Sequence, residues 1–294
     1  MRTPATIQFA SLFTALIFGL SAQANAVPQE GPGAAVELVD PKVLRVCADP
    51  SSLPFSNMKG EGFENKLAEL IASKLGKSLS YTWYPNSMGY VRNTLGSYRC
   101  DVIMDFPQGD DIAQVTNPYY TTSYALVYKP GTGLDGLDSL SDPRLKDKRI
   151  GIVAGTPPSD LLVANGLMAR AKPYPLVIDT RVDSSGRDMI KDIEDGTVAA
   201  GVLWGPMAGY FAMHANPKLT AVPLTGRHMS FRMSMAVRHQ DQEFKRLLNR
   251  LIKDNQADIN AILLSYGVPL LNAQNHPLSG DATGKLPIAA TPHD

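Results

Sequence analysis

The sequence predicts an α/β protein of two lobes that are joined by two crossing strands. A strand–helix–strand pattern runs from Leu44 to Trp83, and a second block with its own alternation of strands and helices runs from 149 to 204. Two further strands bracket that block, Tyr124–Lys129 and Phe231–Arg238. The chain therefore leaves the first lobe, builds the second lobe and returns through the second crossing strand.

The first lobe begins with a buried strand, because Leu44–Ala48 is a short apolar run with a β-branched centre. Asp49-Pro50 ends this strand, since proline donates no amide and restricts the residue before it. A helix from Phe63 to a cap at Gly76 and a strand over Leu79–Trp83 complete a βαβ unit. Ligands bind such units at the carboxyl ends of their strands, which is here the segment 49–57.

The second lobe is predicted as alternating strands and helices: strand Arg149–Val153, helix Thr156–Leu167, strand Leu176–Asp179, helix Gly186–Asp195 and strand Ala199–Trp204. Thr156 is the expected N-cap of the first of these helices, with Pro157 at its first position. The segment Gln242–Tyr266 is predicted as one long helix on the first lobe, because its apolar residues keep a spacing of about 3.6.

The N-terminus has the form of a secretory signal. Arg2 precedes the apolar run Ile7–Leu20, and Ala24-Asn25-Ala26 is an A-x-A site, so cleavage is expected after Ala26. The run is too short to span a bilayer, which disfavours a retained membrane anchor. Cleavage removes one basic and no acidic residue from a chain of 28 Lys and Arg and 28 Asp and Glu. The mature chain thus lacks the basic field that nucleic acid or anionic lipid requires.

The expected domain organisation is a signal peptide over 1–26, a flexible lead-in over 27–43, lobe one over 44–125 plus 231–271, lobe two over 126–230 and a flexible tail over 272–294.

Several segments, in a fixed order, carry a resemblance to a known family: LRVCADPSSLPFSN, GEGFENKLAELIASKLG, CDVIM, NPYYTTSYALVYK, DKRIGIVAGT, SFRMSMAVR and LLSYG. Over roughly 44–267 the chain resembles the type II periplasmic solute-binding proteins (solute-binding protein family 3). With GYVRNTL, the first segments and CDVIM resemble more narrowly the MxaJ/XoxJ family. That family is the binding-protein-like component that accompanies pyrroloquinoline-quinone (PQQ) methanol dehydrogenases.

The resemblance places the strands of Cys47 and Cys100 side by side, and an exported chain meets an oxidising compartment. A disulfide between the two is therefore expected. Inert buried thiols and a redox site are the alternatives, although the sequence has no C-x-x-C spacing.

Amino-acid binders of this fold usually hold their ligand with an arginine of lobe one, backbone amides at the GT helix start and an acid of lobe two. Here no Arg or Lys lies between Cys100 and Lys129, Pro157 and Pro158 remove two amides, and Trp204 stands where the acid is expected. The cleft is thus not expected to take an amino acid. Eight residues are predicted to line it for a ligand or a partner: Asp49, Phe55, Trp83, Arg92, Asp105, Tyr119, Thr156 and Trp204. For Arg92 a solvated helix charge is the alternative, and for the aromatic residues it is packing.

No catalytic residue and no metal site is predicted. The five histidines are scattered, and no nucleophile elbow, Walker loop or dinucleotide fingerprint occurs. Glu61 and Glu64 could act as a general acid pair, so a fold-related enzyme such as a dehydratase is one hypothesis. The alternative for Glu64 is a structural role, because an acid is typical of the first turn of a helix.

The resemblance implies a non-catalytic periplasmic accessory protein that binds a PQQ methanol dehydrogenase, assists its assembly or activation, or interacts with its c-type cytochrome. No cofactor of its own is expected, because the chain has no C-x-x-C-H motif. The alternative is a periplasmic receptor of an ABC transporter for a neutral or cationic small molecule. Neither nucleic acid nor a membrane anchor is expected.

Overall fold

The structure is a computed structural model, and it describes residues 37–278. The predicted signal peptide, its cleavage site after Ala26 and the tail from 279 onward lie outside these residues. The described strands are β1 (Val43–Ala48), β2 (Ser51–Ser52), β3 (Ser56–Asn57), β4 (Ser78–Trp83), β5 (Val102–Pro107), β6 (Gln114–Val115), β7 (Tyr120–Tyr128), β8 (Ile150–Val153), β9 (Lys172–Tyr174), β10 (Ala200–Trp204), β11 (Thr220–Pro223) and β12 (Ser230–Val237).

The described α-helices are α1 (Phe63–Leu75), α2 (Tyr90–Asn93), α3 (Pro158–Ala164), α4 (Ser185–Glu194), α5 (Gly205–His214), α6 (Gln242–Asp254) and α7 (Gln256–Ser265). Within residues 37–278, no helix is both long enough and apolar enough to cross a membrane.

The two lobes share one continuous path of strands, β4-β1-β5-β12-β7-β10-β8-β9. Strand β7 makes the passage between them. Its first half, Tyr120–Ser123, pairs antiparallel with β12 of lobe one. Its second half pairs antiparallel with β10 and β11 of lobe two. Together with β12, which returns the chain to lobe one, β7 confirms the predicted two-lobed type II periplasmic-binding-protein fold with two crossing strands. The exact limits of the lobes stay predictions.

Successive side chains of a strand point to opposite faces of the sheet, and in each lobe both faces pack against apolar residues. In lobe one, Val46 of β1 packs with α1, α6 and α7, whereas Cys47 packs with Tyr90 and Leu95 on the other face. In lobe two, Leu126 and Val127 of β7 belong to the cores on opposite faces.

Three sequence predictions about the elements are wrong. The long helix is two helices, because the chain leaves helical geometry at Asn255, with φ −123° and ψ 22°. The predicted strand Leu176–Asp179 is a loop, and the strand of this region is β9, which pairs with β8 in parallel. Thr156 is not the N-cap of α3: that position is taken by Pro157, and Thr156 Oγ1 instead donates to the carbonyl oxygen of Val153 at 2.6 Å.

The predicted disulfide is confirmed. Cys47 of β1 and Cys100, just before β5, are bonded, with their Cα atoms 5.4 Å apart, and both residues are fully buried. The bond joins parallel neighbouring strands, because β1 pairs with β5 at Val46 and Cys47. It therefore crosslinks the strand that leads directly to Asp49.

Candidate functional site

Asp49 follows β1 at the carboxyl edge of the lobe-one sheet, as predicted, and it is buried. Its carboxylate accepts hydrogen bonds from the backbone N–H groups of Ser51 and Asn86, at 2.8 and 2.7 Å. Thr180 Oγ1 of lobe two also donates to both carboxylate oxygens, at 3.0 Å each. The hydroxyl of Ser56 donates to the backbone carbonyl of Asp49 and accepts from its N–H. Asp49 is therefore held by both lobes of its own chain.

Lobe one has two further buried acids, Glu64 and Asp105. Glu64 is in the first turn of α1, where its N–H donates to the carbonyl oxygen of Phe55. Asp105 is near the end of β5, and Tyr120 Oη donates to its Oδ1 at 2.8 Å. The charges that act on Glu64 are those of Asp105 and Asp49. The charge of Asp105 therefore acts on Glu64, whereas Glu61 accepts a hydrogen bond from Asn57 Nδ2.

Burial changes the protonation of these acids. Burial raises the pKa of Asp105 to about 7, although the hydrogen bond from Tyr120 opposes the shift. Burial, followed by the charge of Asp105, raises the pKa of Glu64 well above its usual range. A charged carboxylate is costly in such surroundings when no cation neutralises it, so burial favours the protonated form of both acids.

The predicted aromatic residues of lobe one lie in different surroundings. Phe55 packs against Phe63 at the start of α1, with ring centroids 5.3 Å apart. Trp83, at the end of β4, stacks on Tyr81 at 4.6 Å and is half-buried. Tyr119 is buried in the lobe-one core, and its hydroxyl donates to the carbonyl oxygen of Met104 at 2.6 Å. Tyr119 is thus part of the core that supports β5.

Trp204 ends β10 where the strands cross. Its ring meets Tyr124 of β7 edge-on at 5.2 Å and Phe231 of β12 edge-on at 5.5 Å. Such edge-to-face contacts add to the free energy of apolar burial. A lobe-two acid at this position would be surrounded by aromatic rings, which do not neutralise charge. We call Tyr124, Trp204 and Phe231 the crossing-strand aromatics.

Thr156 and Arg92 do not join these groups through hydrogen bonds that the structure describes. Thr156 is bonded to β8, as given above, and lies at the carboxyl end of that strand in lobe two. Arg92 is exposed on α2, and its carbonyl oxygen accepts from Ser97 Oγ.

The two lobes contact each other at a second place, which the sequence did not predict. Tyr210 of α5 stacks on Tyr266, with ring centroids 6.1 Å apart and planes 20° apart. Tyr266 in turn donates its hydroxyl proton to the carbonyl oxygen of Glu61 at 2.7 Å. Gly209 lies against Gly267 so closely that a Cβ on either residue would overlap the backbone of the other. The LLSYG motif marks Tyr266 and Gly267, but no sequence signal links them to α5.

Two cavities in the described residues lie in lobe one and have no lobe-two residue in their lining. One, of about 230 Å³, lies between the start of β7, α7 and the segment around Leu270. The other, of about 130 Å³, lies beside Arg238 and Tyr98. Among residues 37–278, no three His, Cys, Asp or Glu side chains are grouped so that they could hold a metal ion.

Comparison with known proteins identifies relatives over most of the chain. Residues 44–268 match the family of bacterial extracellular solute-binding proteins, family 3. Protein MoxJ of Methylorubrum extorquens (strain AM1) is 28% identical over 296 residues, which cover 93% of this chain and 97% of that protein.

Two solved structures are similar. The crystal structure of the periplasmic binding protein XoxJ from Methylobacterium extorquens AM1 has a TM-score of 0.68 and 40% identity, covering 78% of this chain and 99% of XoxJ. The crystal structure of MxaJ from Methlophaga aminisulfidivorans MPT has a TM-score of 0.66 and 28% identity, covering 78% of this chain and 100% of MxaJ. This chain therefore belongs to the bacterial extracellular solute-binding proteins of family 3, and its narrower resemblance to the MxaJ/XoxJ periplasmic binding proteins is confirmed.

Proposed function

We propose that this chain is an exported, non-catalytic accessory protein of a PQQ methanol dehydrogenase system. It acts in the periplasm after cleavage of its signal peptide, and it binds the dehydrogenase or its c-type cytochrome to assist assembly or activation. The similarity to MoxJ, XoxJ and MxaJ supports the assignment of this chain to such a system, because the MxaJ/XoxJ family accompanies PQQ methanol dehydrogenases. The quinone, metal and haem belong to the partners.

The observation that carries a protein-binding role is the surroundings of Trp204. A receptor for amino acids needs an acid in lobe two to hold the ligand's ammonium group, and this position is occupied by an indole packed between Tyr124 and Phe231. Asp49, the acid at the lobe-one edge, accepts hydrogen bonds from Thr180, Ser51 and Asn86 instead of facing a free cleft. The positions that would bind a solute are thus occupied by packing and hydrogen bonds within the protein.

The test is binding of the mature chain, residues 27–294, to purified PQQ methanol dehydrogenase and separately to its cytochrome. We expect a saturable complex with one of them and a rise in dehydrogenase turnover when the chain is added. The single variant Trp204→Ala tests whether the cleft takes part, because Trp204 belongs to the crossing-strand aromatics whereas Tyr119 is part of the lobe-one core. If that variant stays folded and binds as the wild type does, the cleft aromatics are not the interface.

The alternative function is an ABC-transporter receptor for a neutral or cationic small molecule. Glu64 and Asp105 could neutralise a cation that enters between the lobes, because their protons would then be released. A melting-temperature screen of the mature chain against cationic and neutral metabolites tests this role. A saturable rise with one compound, together with no binding to dehydrogenase or cytochrome, would replace the accessory role by the receptor role.

A further inference from the structure

Two contacts outside the crossing strands join the lobes. In the first, Thr180 Oγ1 of lobe two donates to both carboxylate oxygens of Asp49 in lobe one, at 3.0 Å each. In the second, α5 of lobe two packs against Tyr266 and Gly267 of lobe one. Two-lobed binding proteins open and close by hinge motion of the segments that cross between their lobes. A contact resists opening only if it lies far enough from the hinge for the motion to break it.

The α5 contact lies beside the hinge. Gly205, the first residue of α5, is packed so closely against β7 that an added Cβ would lie 2.2 Å from the carbonyl oxygen of Ser123. Gly209, one turn later, meets Gly267 in the same way, with 1.8 Å between an added Cβ and the Gly267 carbonyl oxygen. Because this contact begins at the crossing strand itself, a hinge rotation displaces it little.

The contact of Thr180 with Asp49 lies farther from the hinge. Asp49 follows β1, and β5 and β12 separate β1 from β7 in the sheet. Neighbouring strands are about 4.8 Å apart, so β1 lies roughly 14 Å from β7 and roughly 10 Å from β12. A rotation about the crossing strands therefore separates Asp49 from Thr180, whereas it leaves α5 beside β7. Opening of the lobes requires that the Thr180 bond break.

Asp49 attracts lobe two in two ways. Its carboxylate is buried, and its third hydrogen-bond donor, after the N–H groups of Ser51 and Asn86, is the Thr180 hydroxyl. Hydrogen bonds to an ionised acceptor are stronger than those between neutral groups. The charge of Asp49 also reaches the guanidinium next to Thr180: the pKa of Arg181 is raised mainly by its hydrogen bond to Asp179, and in smaller part by Asp49.

We propose that Thr180 and Asp49 form a latch, in which a hydroxyl and a carboxylate of the chain itself hold the two lobes closed. In a periplasmic receptor, closure depends on a bound solute that both lobes contact. Here the acid at the carboxyl end of β1, where a solute would bind, is bonded directly to lobe two. The lobes are therefore closed in solution without any added solute. This inference goes beyond the proposed function, because the latch acts whether or not a partner is bound.

The distance between the lobes tests the latch. Spin labels on Glu69→Cys of α1 and Asp188→Cys of α4, both exposed, report this distance in the mature chain by double electron–electron resonance. The native cysteines are bonded to each other and take no label. With Thr180 present we expect a single short distance. Thr180→Val should add a longer distance and raise the ratio of open to closed molecules about tenfold or more.

Two control variants separate the latch from a general loosening of the lobes. Thr180→Ser keeps the hydroxyl and should keep the single short distance. Tyr210→Leu removes the aromatic stack of the α5 contact and should also keep it, because the latch is intact. Unchanged melting temperatures show that the labelled variants are folded.

Three results would overturn the latch: an open arrangement when Thr180 is present, equal distances in Thr180→Val and Thr180→Ser, or opening in Tyr210→Leu but not in Thr180→Val. The last result would assign closure to the α5 contact. Binding to the dehydrogenase and to the cytochrome is measured separately, so each of these results leaves the proposed function intact.

Discussion

At the scale of single residues, the acids of lobe one have the clearest physical consequence. Asp105 is expected from the sequence as a cleft residue, but its protonation depends on its burial and on the hydrogen bond from Tyr120, which only the fold provides. In the unfolded chain Asp105 titrates near pH 4. In the folded chain burial raises its pKa to about 7. The folded state therefore binds more protons than the unfolded state between these two values.

The first prediction is that stability falls as the pH rises from about 4 to about 7, because the folded state must give up a proton that it binds more tightly. Asp105→Asn should reduce this loss of unfolding free energy by on the order of 2 kcal/mol, since asparagine keeps an oxygen for the Tyr120 hydroxyl and carries no charge. Urea unfolding at several pH values measures it. Asp183→Asn, at an exposed position, serves as the control. Equal slopes for Asp105→Asn and the wild type would contradict the assignment.

The second prediction concerns the crossing-strand aromatics. Trp204→Asp restores the residue type that amino-acid binders use, yet it removes two edge-to-face contacts and places a charge among aromatic rings. We expect it to lower the free energy of unfolding by about 2–4 kcal/mol without creating amino-acid binding. Denaturant unfolding and calorimetric titration with amino acids measure the two effects.

Trp204→Phe is the control for Trp204→Asp, since it keeps an aromatic ring and should lose about half as much stability. Tight binding of an amino acid to Trp204→Asp would show that the cleft still has the rest of an amino-acid site.

At the scale of elements, the loop 175–184 of lobe two reaches lobe one through the side chain of Thr180. The sequence predicts a strand here, Leu176–Asp179, which begins with three apolar residues. Two of those residues, Leu176 and Val177, are exposed, because the strand of this region is β9, which ends at Tyr174. Leu176 and Val177 therefore lie on the surface of the molecule and are not part of its sheet.

The third prediction is that Thr180→Val loosens this loop. The substitution keeps the shape of the side chain and removes the two hydrogen bonds to Asp49. We expect amide hydrogen exchange over 175–184 and 84–88 to become at least tenfold faster, with the core strands unchanged. Thr132→Val is the matched control, because Thr132 bonds only the carbonyl oxygen of Lys129 on an exposed loop of lobe two. Equal exchange in both variants would mean that the Asp49 bond does not hold the loop.

At the scale of the whole molecule, the disulfide links two strands of lobe one, and the contacts Thr180–Asp49 and Tyr210–Tyr266 join the two lobes. The disulfide closes a separation of 53 residues within lobe one. The fourth prediction is that Cys47→Ala with Cys100→Ala lowers the free energy of unfolding by about 4 kcal/mol, because the unfolded chain regains the entropy of the open loop. Chemical unfolding of the variant, compared with the wild type before and after reduction, measures this loss. An unchanged midpoint would show that the bond contributes no stability.

Much of the fold could be predicted because it depends on local patterns. The apolar run at Leu44–Ala48, the cap at Gly76 and the spacing through Phe244, Leu248 and Ile252 each appear in the structure as strand, helix end and buried helix face. The break at Asn255 was missed, since the apolar spacing continues across it into α7. The predicted N-cap at Thr156 is also wrong, because α3 begins one residue later than predicted, with Pro157 as its N-cap, and the Thr156 hydroxyl donates to the carbonyl oxygen of Val153 in β8.

By itself, the sequence determined the α/β class and the two lobes with their crossing strands, because strands and caps are properties of short segments. The resemblance to a known family added the disulfide pair and the absence of the three groups that bind amino acids. Only the tertiary structure decided that Thr180 bonds Asp49, that Glu64 shares its surroundings with Asp105, and that Tyr210 stacks on Tyr266. These contacts join residues far apart in the chain. Their energies depend on burial and distance, which no local pattern encodes.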